Sequence, residues 1–458
     1  KRRHKPIRAL IDEGIDFIQS LKPCIMMSPL TVSHYLPSKA NLFDVVIFDE
    51  ASQIRPEEAI NCIYRSRQVI IAGDQKQLPP TSFFSALDDD DEYDDEVDDF
   101  ESLLDIAKQG QGINSISLKW HYRSQHEDLI TYSNRSFYDS ELFTFPSSMI
   151  EHPLFGVNHT RVEGVYARGG SRDNEIEAQE VYRRVEELVK HDPELTIGVV
   201  AFSAAQMKKI ESVVESKRSS SPMMDEWFAT HETRLDGFFV KNIENVQGDE
   251  RDVIIFSTGY GKDANGKFTQ NFGPLGKSNG WRRLNVAVTR ARRQLVVITS
   301  IDPAMIKGTS ESVRHFKKFL DYSENGPEVF EIDLTDSQGG ADSPFEEEVI
   351  NVIRGWGYEV VPQVGCASYK IDLGVRHPDH EGHYCLAIEC DGAMYHSSPV
   401  ARDRDRLREQ VLRNLGWDFH RIWGTTWYRE RKKAEKSLKD AIDSAASKAP
   451  LRISKKKI

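Results

Sequence analysis

Arg283-Leu-Asn-Val-Ala-Val-Thr-Arg-Ala-Arg292, followed closely by Leu295-Val-Val-Ile-Thr299, decides how this 458-residue chain is read. A helix-compatible segment rich in arginine runs into a short β-branched apolar stretch. Four other stretches precede it: Val45-Val-Ile-Phe-Asp-Glu-Ala-Ser52, Ile70-Ile-Ala-Gly-Asp-Gln-Lys-Gln-Leu-Pro-Pro80, Trp120-His-Tyr-Arg-Ser124 and Val246-Gln-Gly-Asp-Glu-Arg-Asp-Val-Ile-Ile255. The apolar runs Val45 to Phe48, Val69 to Ala72, Ile197 to Phe202, Val253 to Phe256 and Leu295 to Ile298 lack alternation. Helix-compatible sequence or loops separate them, which predicts an α/β fold with parallel strands buried on both faces. Crossover helices are expected over Glu175 to Lys190 and Ala204 to Lys217, both with charged faces.

The chemistry follows from what stands at the ends of these runs. Asp49 and Glu50 lie at the carboxyl end of an apolar strand, where open α/β sheets place ligand-binding groups. Adjacent carboxylates there suit a division of labour, Asp49 holding Mg²⁺ through water and Glu50 orienting an attacking water. Gln75 repeats the design on a second strand, with an uncharged side chain able to sense a γ-phosphate. Arg123 and Arg290 are candidates for stabilising charge as it shifts on phosphate oxygens. Gly248 allows close backbone approach and Glu250 can accept a hydrogen bond from a ribose hydroxyl. Each alone has a bland reading as a turn, a cap or a solvated surface group; their order along the chain carries the weight.

Composition sets limits. No apolar run approaches the ~18 residues of a membrane span, so a cytoplasmic protein with no membrane partner is expected. The five cysteines show no CxxC spacing, which argues against a zinc ribbon or disulfide framework and for reduced, mostly buried thiols. The formal charge of −12 is concentrated: Asp88 to Glu101 carries eleven acidic side chains and no basic one. That run reads as a solvated loop, with mimicry of nucleic-acid charge as the alternative, and the rest of the chain is close to neutral. The first residue is lysine, which suggests a piece of something longer.

Residues 44 to 300 resemble the later part of a superfamily 1 helicase of the Upf-type subgroup, with what look like its motifs II, III, the Tyr-Arg motif, V and VI. The resemblance implies two RecA-like lobes that hydrolyse ATP to translocate on single-stranded DNA or RNA. It implies Asp49 and Glu50 for Mg²⁺ and water activation, Gln75, Arg123 and Arg290 for the γ-phosphate, and Gly248 with Glu250 for coupling nucleotide to strand. One element departs from the pattern. The family's P-loop, GxxxxGK(S/T), is not found before Asp49; Gly276-Lys-Ser278 has Asn271 where the first glycine belongs and reads as a loop before the arginine motif. The expected lobes are 1–115 and 116–306, and the P-loop is expected from an N-terminal helicase portion, in cis or in trans. His121, Tyr122, Phe83 and Phe84 are candidate stacking surfaces for the strand, or lobe-packing aromatics.

A new pattern begins at Ser343-Pro-Phe-Glu346, after a partly helical connection over 307–342. Phe345, Val349, Val352 and Ile353 recur at helical spacing. Strand-like Tyr358 to Val364, Lys370 to Val375 and Tyr384 to Asp391 follow, then a charged helix from about Val400 to Leu415. Asp372 alternates with Ile371 and Leu373, and in Ala387-Ile-Glu-Cys-Asp-Gly392 the carboxylates Glu389 and Asp391 share one face. Were the two strands neighbours, Asp372 and Glu389 would converge on Mg²⁺ or Mn²⁺, with Glu346 completing the cluster; the bland alternative is solvent-facing acids on an edge strand. Ser-Pro-Phe-Glu, Ile-Asp-Leu, Ile-Glu-Cys-Asp-Gly and Tyr395-His396 resemble the PD-(D/E)xK nucleases, most closely the very-short-patch-repair-like branch, over about 343–430. That resemblance implies a restriction-endonuclease-like fold and metal-dependent hydrolysis of DNA, with Asp372 and Glu389 as ligands, Glu346 assisting and His396 as general acid or base. Asp391 replaces the usual lysine, and Lys370, Arg402 or Gln410 are candidate substitutes. The arginines of 401–408 suit a phosphate backbone or an intrahelical salt-bridge ladder. Trp417, Trp423 and Trp427 are expected in the core, and 431–458 as a charged surface helix and tail. The expected whole is an ATP-driven motor fused to a metal-dependent endonuclease in prokaryotic DNA processing or defence. The alternatives are a DNA-gripping module with a degenerate nuclease fold, or a regulatory subunit that takes its P-loop from a partner.

Overall fold

A computed structural model describes residues 5–80, 102–110, 112–330, 343–365, 369–391 and 399–448, the stretch 399–405 as backbone only. The acidic run 88–101, Phe83, Phe84 and His396 lie outside the described residues. The chain forms two compact units, residues 1–117 and 118–458.

In the first unit α1 (Ile7–Leu21), α2 (Pro29–Tyr35), β1 (Phe43–Phe48), α3 (Pro56–Tyr64), β2 (Ser66–Ile71) and α4 (Leu103–Gln109) follow in order. β1 and β2 pair in parallel, Val46 opposite Val69 and Phe48 opposite Ile71. Burial on both faces is not found for this pair. Ile47 is 66% exposed and Ile70 45%, because a sheet of two strands has few elements to cover it. Phe48, Ala51, Ala59, Cys62, Leu103 and Leu104 form the small core.

The second unit opens with α5 (Asp128–Phe137), β3 (Gly156–Arg161), α6 (Glu175–His191), β4 (Ile197–Ala201), α7 (Ala204–Arg218), α8 (Pro222–Glu232), β5 (Phe239–Asn242), β6 (Arg251–Ser257), α9 (Gly280–Val288), β7 (Ala291–Thr299) and α10 (Glu311–Asn325). Its sheet is all-parallel in the order β3-β7-β6-β4-β5, a doubly wound arrangement. Here burial on both faces holds. Val181 and Val185 of α6, Ile210 of α7 and Phe228 of α8 pack with Ile197, Val199, Val253 and Ile255, while Phe256 meets Phe319 of α10. The expected connection over 307–342 thus contains a core helix: Phe316, Phe319, Leu320 and Tyr322 are buried, and the Tyr322 hydroxyl donates to the Asp128 carbonyl at 2.8 Å.

One buried acid ties the carboxyl ends of this sheet together. Glu177 of α6 accepts from the Gly259 N–H (2.7 Å), the Ser257 hydroxyl (2.8 Å), the Ser300 N–H (2.8 Å) and the Thr258 hydroxyl (3.2 Å). Burial pushes its carboxyl up to about 7 even against these donors.

The remainder contains α11 (Pro344–Gly355), β8 (Val360–Val364), β9 (Ile371–Arg376), β10 (Tyr384–Asp391), α12 (Pro399–Asn414), β11 (Asp418–Trp423), α13 (Gly424–Arg429) and α14 (Arg431–Ala446). Its sheet runs β11-β10-β9-β8, with β11 parallel to β10 and the other pairs antiparallel. The helix expected at the surface of the tail belongs to the core. Ala434, Leu438, Ile442 and Ala445 of α14 join Phe345, Val349, Leu373 and Ile388, so the apolar positions hidden among its alternating charges recur at helical spacing. A second apolar cluster joins this sheet to the preceding lobe: Phe145 packs with Ile371, Ala387, Leu412 and Trp417. Trp417 and Trp427 are buried as expected, but Trp423, at the end of the edge strand β11, is 44% exposed. Cys62 and Cys385 are buried, Cys390 is half-buried and Cys24 is exposed, all as free thiols. No described helix is long and apolar enough to cross a membrane.

Truncating Leu438 to alanine is expected to destabilise the C-terminal sheet domain by about 2–5 kcal/mol, as for a buried leucine. Urea melts followed by tryptophan fluorescence measure this; an unchanged midpoint would return α14 to the surface.

Candidate functional site

In the first unit, parallel pairing puts the ends of β1 and β2 side by side, so the segments after Phe48 and Ile71 leave from one edge. The Ala51 N–H donates to the Ala72 carbonyl at 2.9 Å, and that of Ala72 to the Phe48 carbonyl at 2.8 Å. Asp49 accepts from the Glu50 N–H at 3.0 Å, and Glu50 sits at φ 52°. Both carboxylates are exposed. A Cβ on Gly73 would lie 3.0 Å from the amide nitrogens of Ala51 and Ser52, so the close approach of the two segments requires glycine there. Gln75 is held within the same unit: its amide donates to Asp105 and its oxygen accepts from Lys108 at 2.7 Å. Exposed carboxylates at the ends of parallel strands fit a hydrated Mg²⁺. A cradle for ATP phosphates does not exist among these residues, since no P-loop sequence is present.

In the second unit, Arg123 Nε lies 3.2 Å from Glu250 Oε2, and Arg292 approaches the same carboxylate at 3.6 Å. Three motif stretches far apart in sequence therefore meet at Glu250. Arg290 is placed differently. It is buried, its Nε donating to the Val286 carbonyl at 2.8 Å and Nη2 to the Thr289 hydroxyl at 2.9 Å. The arginine motif thus splits into a guanidinium folded against the helix end and one, Arg292, directed at Glu250. Gly248 has φ +82° with open space where a side chain would stand. His121 is pushed down to about 4 by burial and by Arg123, and its Nε2 contacts the Ser124 hydroxyl at 2.8 Å; Tyr122 beside it is 77% exposed. Of the two, Tyr122 has a free face.

The C-terminal acids occupy the two central strands, not an edge. The register that pairs Ala387 with Gly374 and Ile388 with Leu373 brings Glu389 opposite Asp372. Asp372 accepts from the Cys390 N–H at 2.7 Å, and Glu389 accepts from the Tyr369 hydroxyl. Burial, then repulsion from Glu389, Glu346 and Asp391, pushes Asp372 up to about 7 although the Cys390 N–H opposes it. Burial raises Glu389 as well, with Asp391 adding to the effect and Tyr369 and Arg421 opposing it. Glu346 is buried on α11, accepting from the Ser343 hydroxyl at 3.0 Å and the Gln363 amide at 3.3 Å. Among the described residues no three acid, histidine or cysteine side chains form a metal-binding set, while Glu346 lies near enough to act on Asp372 through its charge. Asp372 and Glu389 still fit a hard divalent cation, being half-buried oxygen donors whose ionisation is resisted. Asp391, in the usual lysine position, lies 3.0 Å from Arg421 Nε.

Two neighbours, Arg421 and Tyr369, escape the sequence reading, and a third, Arg408, enters it only as one of the arginines of 401–408. Arg421 stands opposite Glu389 on β11, a strand too polar to declare itself. Arg408 lies 5.2 Å from the Tyr369 ring centroid, and Tyr369 itself sits outside every quoted motif. Helical phase could have singled out Arg408 within the arginine run; nothing in the sequence marks Tyr369.

Comparison with known proteins agrees with this layout. AAA-domain family models match residues 25–85 and 100–302, and the restriction-endonuclease-type model REase_MTES_1575 matches residues 345–442. The chain belongs to the Upf-like superfamily 1 helicases, with a restriction-endonuclease-like domain behind the helicase lobes. Among its relatives are the ATP-dependent helicase MG140 of Mycoplasma genitalium, 35% identical, and its homolog in Mycoplasma pneumoniae, 31% identical; each alignment covers 92% of this chain and 39% of the relative. The chain thus spans well under half the length of these relatives. The DNA polymerase alpha-associated DNA helicase A of Saccharomyces cerevisiae is 25% identical over 63% of this chain and 42% of that protein. The solved PRRSV helicase is 15% identical over 62% of this chain and 44% of that one, at a TM-score of 0.26.

The Asp372 shift has a definite sign. Its folded value lies above the ordinary carboxylate value, so between about pH 4 and pH 7 the folded protein keeps a proton that the unfolded chain has released. Stability from this group is full at low pH and is lost as pH rises through that window. Asp372→Asn keeps an oxygen for the Cys390 N–H, and is expected to stabilise the metal-free protein by about 1–3 kcal/mol at pH 8 and not at pH 4. Chemical melts in EDTA at the two pH values measure this; an equal effect at both would count against the burial argument.

Proposed function

We propose that this chain forms the later part of an ATP-driven translocase on single-stranded nucleic acid, joined to a metal-dependent DNA endonuclease. The nuclease reading rests on one observation: Asp372 and Glu389 are neighbours on central strands, half-buried and both resisting ionisation. A bound Mg²⁺ or Mn²⁺ would relieve that repulsion, polarise a scissile phosphate and lower the pKa of water. Asp372 and Glu389 hold the ion, the Cys390 N–H and the Tyr369 hydroxyl orient their oxygens, and Arg408 and Arg421 supply positive charge where the family lysine is replaced by Asp391. Glu346 assists from α11, and His396 acts as general acid or base. In the motor, Asp49 and Glu50 serve Mg²⁺ and water, Gln75, Arg123 and Arg290 serve the γ-phosphate, and Gly248 with Glu250 couples nucleotide to strand. Arg292 shares the Glu250 anchor.

The P-loop comes from outside the chain, in cis or in trans. The uncovered apolar side chains of β1 and β2 are consistent with a sheet that takes further strands. The Mycoplasma relatives favour a prokaryotic setting, and a motor joined to a nuclease suits DNA processing or defence. A second reading, a nuclease fold that grips DNA without cutting it, draws on the pairing of Asp391 with Arg421.

Supercoiled plasmid and single-stranded DNA incubated with the chain in Mg²⁺, Mn²⁺ or EDTA separate these readings. Metal-dependent nicking is expected, reduced at least ~100-fold by Asp372→Asn and by Glu389→Gln, in line with the loss of a metal-site electrostatic contact. DNA retained in EDTA with no cleavage under any condition would favour the grip. ATP hydrolysis is expected near background for the chain alone and to rise when a P-loop polypeptide is supplied. In that complete motor Arg123→Ala should lower turnover on the order of 100-fold; an unchanged rate would remove Arg123 from the phosphate site.

A further inference from the structure

The preceding lobe reaches into the nuclease-like domain at a defined point. Phe143 donates its N–H to the Lys119 carbonyl at 2.7 Å and accepts from the His121 N–H at 3.0 Å, which ties the stretch after it to the segment that carries Arg123. Beyond Phe143 the chain is woven into the C-terminal domain. The Trp417 indole N–H donates to the Pro146 carbonyl at 2.8 Å, the Tyr384 N–H to the Ser148 carbonyl at 2.8 Å, and the Ser148 hydroxyl to the Leu415 carbonyl at 3.0 Å. Between these anchors the buried Phe145 has Trp120 5.3 Å away on one side of the contact chain and Tyr369 5.2 Å away on the other, centroid to centroid. Tyr369 then donates its hydroxyl to Glu389.

We propose that Phe145, supplied by the second helicase lobe, is a positioning residue for the nuclease site: it fixes the Tyr369 ring, and through the Tyr369 hydroxyl it sets the orientation of the Glu389 carboxylate. This rests on Glu389 being a metal ligand. A ligand carboxylate is as well oriented as the hydrogen bond that holds it, and loss of such a partner typically lowers metal affinity 10–100-fold. A phenol on a single bond from the backbone swings about its Cα–Cβ axis unless its ring is packed, so the hydroxyl is only as well placed as Phe145 and Arg408 make the ring. The nuclease-like domain therefore has part of its active-site scaffold in the motor.

The test uses the full chain as Tyr369→Phe, Phe145→Ala, Phe145→Leu and the double variant Phe145→Ala/Tyr369→Phe. Mn²⁺ binding is followed by calorimetry, with Glu389→Gln as the blank for ions bound elsewhere. Hydrogen exchange of residues 385–391 is followed in parallel. Tyr369→Phe and Phe145→Ala are each expected to weaken Mn²⁺ binding on the order of 10-fold. The double variant should be no weaker than Tyr369→Phe, because both changes break one path. Phe145→Leu retains apolar volume and guards against simple unfolding; it should fold and still weaken binding. Multiplying losses in the double variant, or wild-type binding in a folded Phe145→Leu, would overturn the proposal. Should the wild type bind no Mn²⁺ above the blank, the nuclease reading itself fails. Exchange then decides the positioning role alone, faster exchange around Glu389 in both Phe145→Leu and Tyr369→Phe upholding it and unchanged exchange in either defeating it.

Discussion

The junction between the motor lobe and the C-terminal sheet depends on a short piece of main chain, Pro146 to Ser148, that hydrogen-bonds into a domain more than two hundred residues further along the sequence. Backbone carbonyls buried beside apolar surface must be paired: those of Pro146 and Ser148 accept from an indole and a strand amide of the C-terminal sheet domain, and the Ser148 hydroxyl donates to that domain's Leu415 carbonyl. Separating the two parts would leave those groups unpaired in a cluster built from Phe145, Ile371, Leu412 and Trp417. The motor lobe and the sheet domain therefore form one compact unit, joined by satisfied polar groups as much as by apolar contact. Glu151, which ion-pairs with Arg376 at 2.6 Å, lies at the edge of the same junction.

Much of this fold was legible in the sequence because interior strands declare themselves. β4, β6 and β7 lie between neighbours and under helices, so they are continuous apolar runs, and α6 and α7 fall within a residue or so of their expected limits. The strands that escaped notice are at sheet edges. β3 is Gly-Val-Asn-His-Thr-Arg, β5 is Phe-Val-Lys-Asn and β11 is Asp-Phe-His-Arg-Ile-Trp; each needs an apolar side chain on one face only, or faces water along one side. The burial expected for β1 and β2 failed for a related reason. Their sequence is that of covered strands, but the described residues around them are too few to cover them.

The candidate sites divide in the same way. Spacing alone put Asp372 and Glu389 on faces that could meet, and the register brings them opposite each other. Spacing could not say that Glu346 would turn to Ser343 and Gln363, nor that Arg290 would fold back on the Val286 carbonyl while Arg292 reached Glu250. Such choices depend on side-chain torsions and on which partner lies within reach, and no one-dimensional pattern records them. Tyr369 is the clearest case: its place beside Glu389 follows from the packing of Phe145, a residue of another domain.

The uncovered β1–β2 pair has a colloidal consequence. Among the described residues, a parallel two-stranded ribbon with Val45, Ile47, Val69 and Ile70 exposed presents both apolar side chains and strand edges that no other described strand pairs, the two ingredients of edge-to-edge association. What opposes association is the surplus of negative charge, most of it in the acidic run that follows β2 in the chain. Because repulsion between such charges fades over a Debye length, roughly 8 Å at physiological ionic strength, salt in the buffer governs how long copies of this chain stay apart in solution. High salt would weaken the guard and leave the apolar ribbon, which salt does not screen, to set the behaviour of the isolated chain.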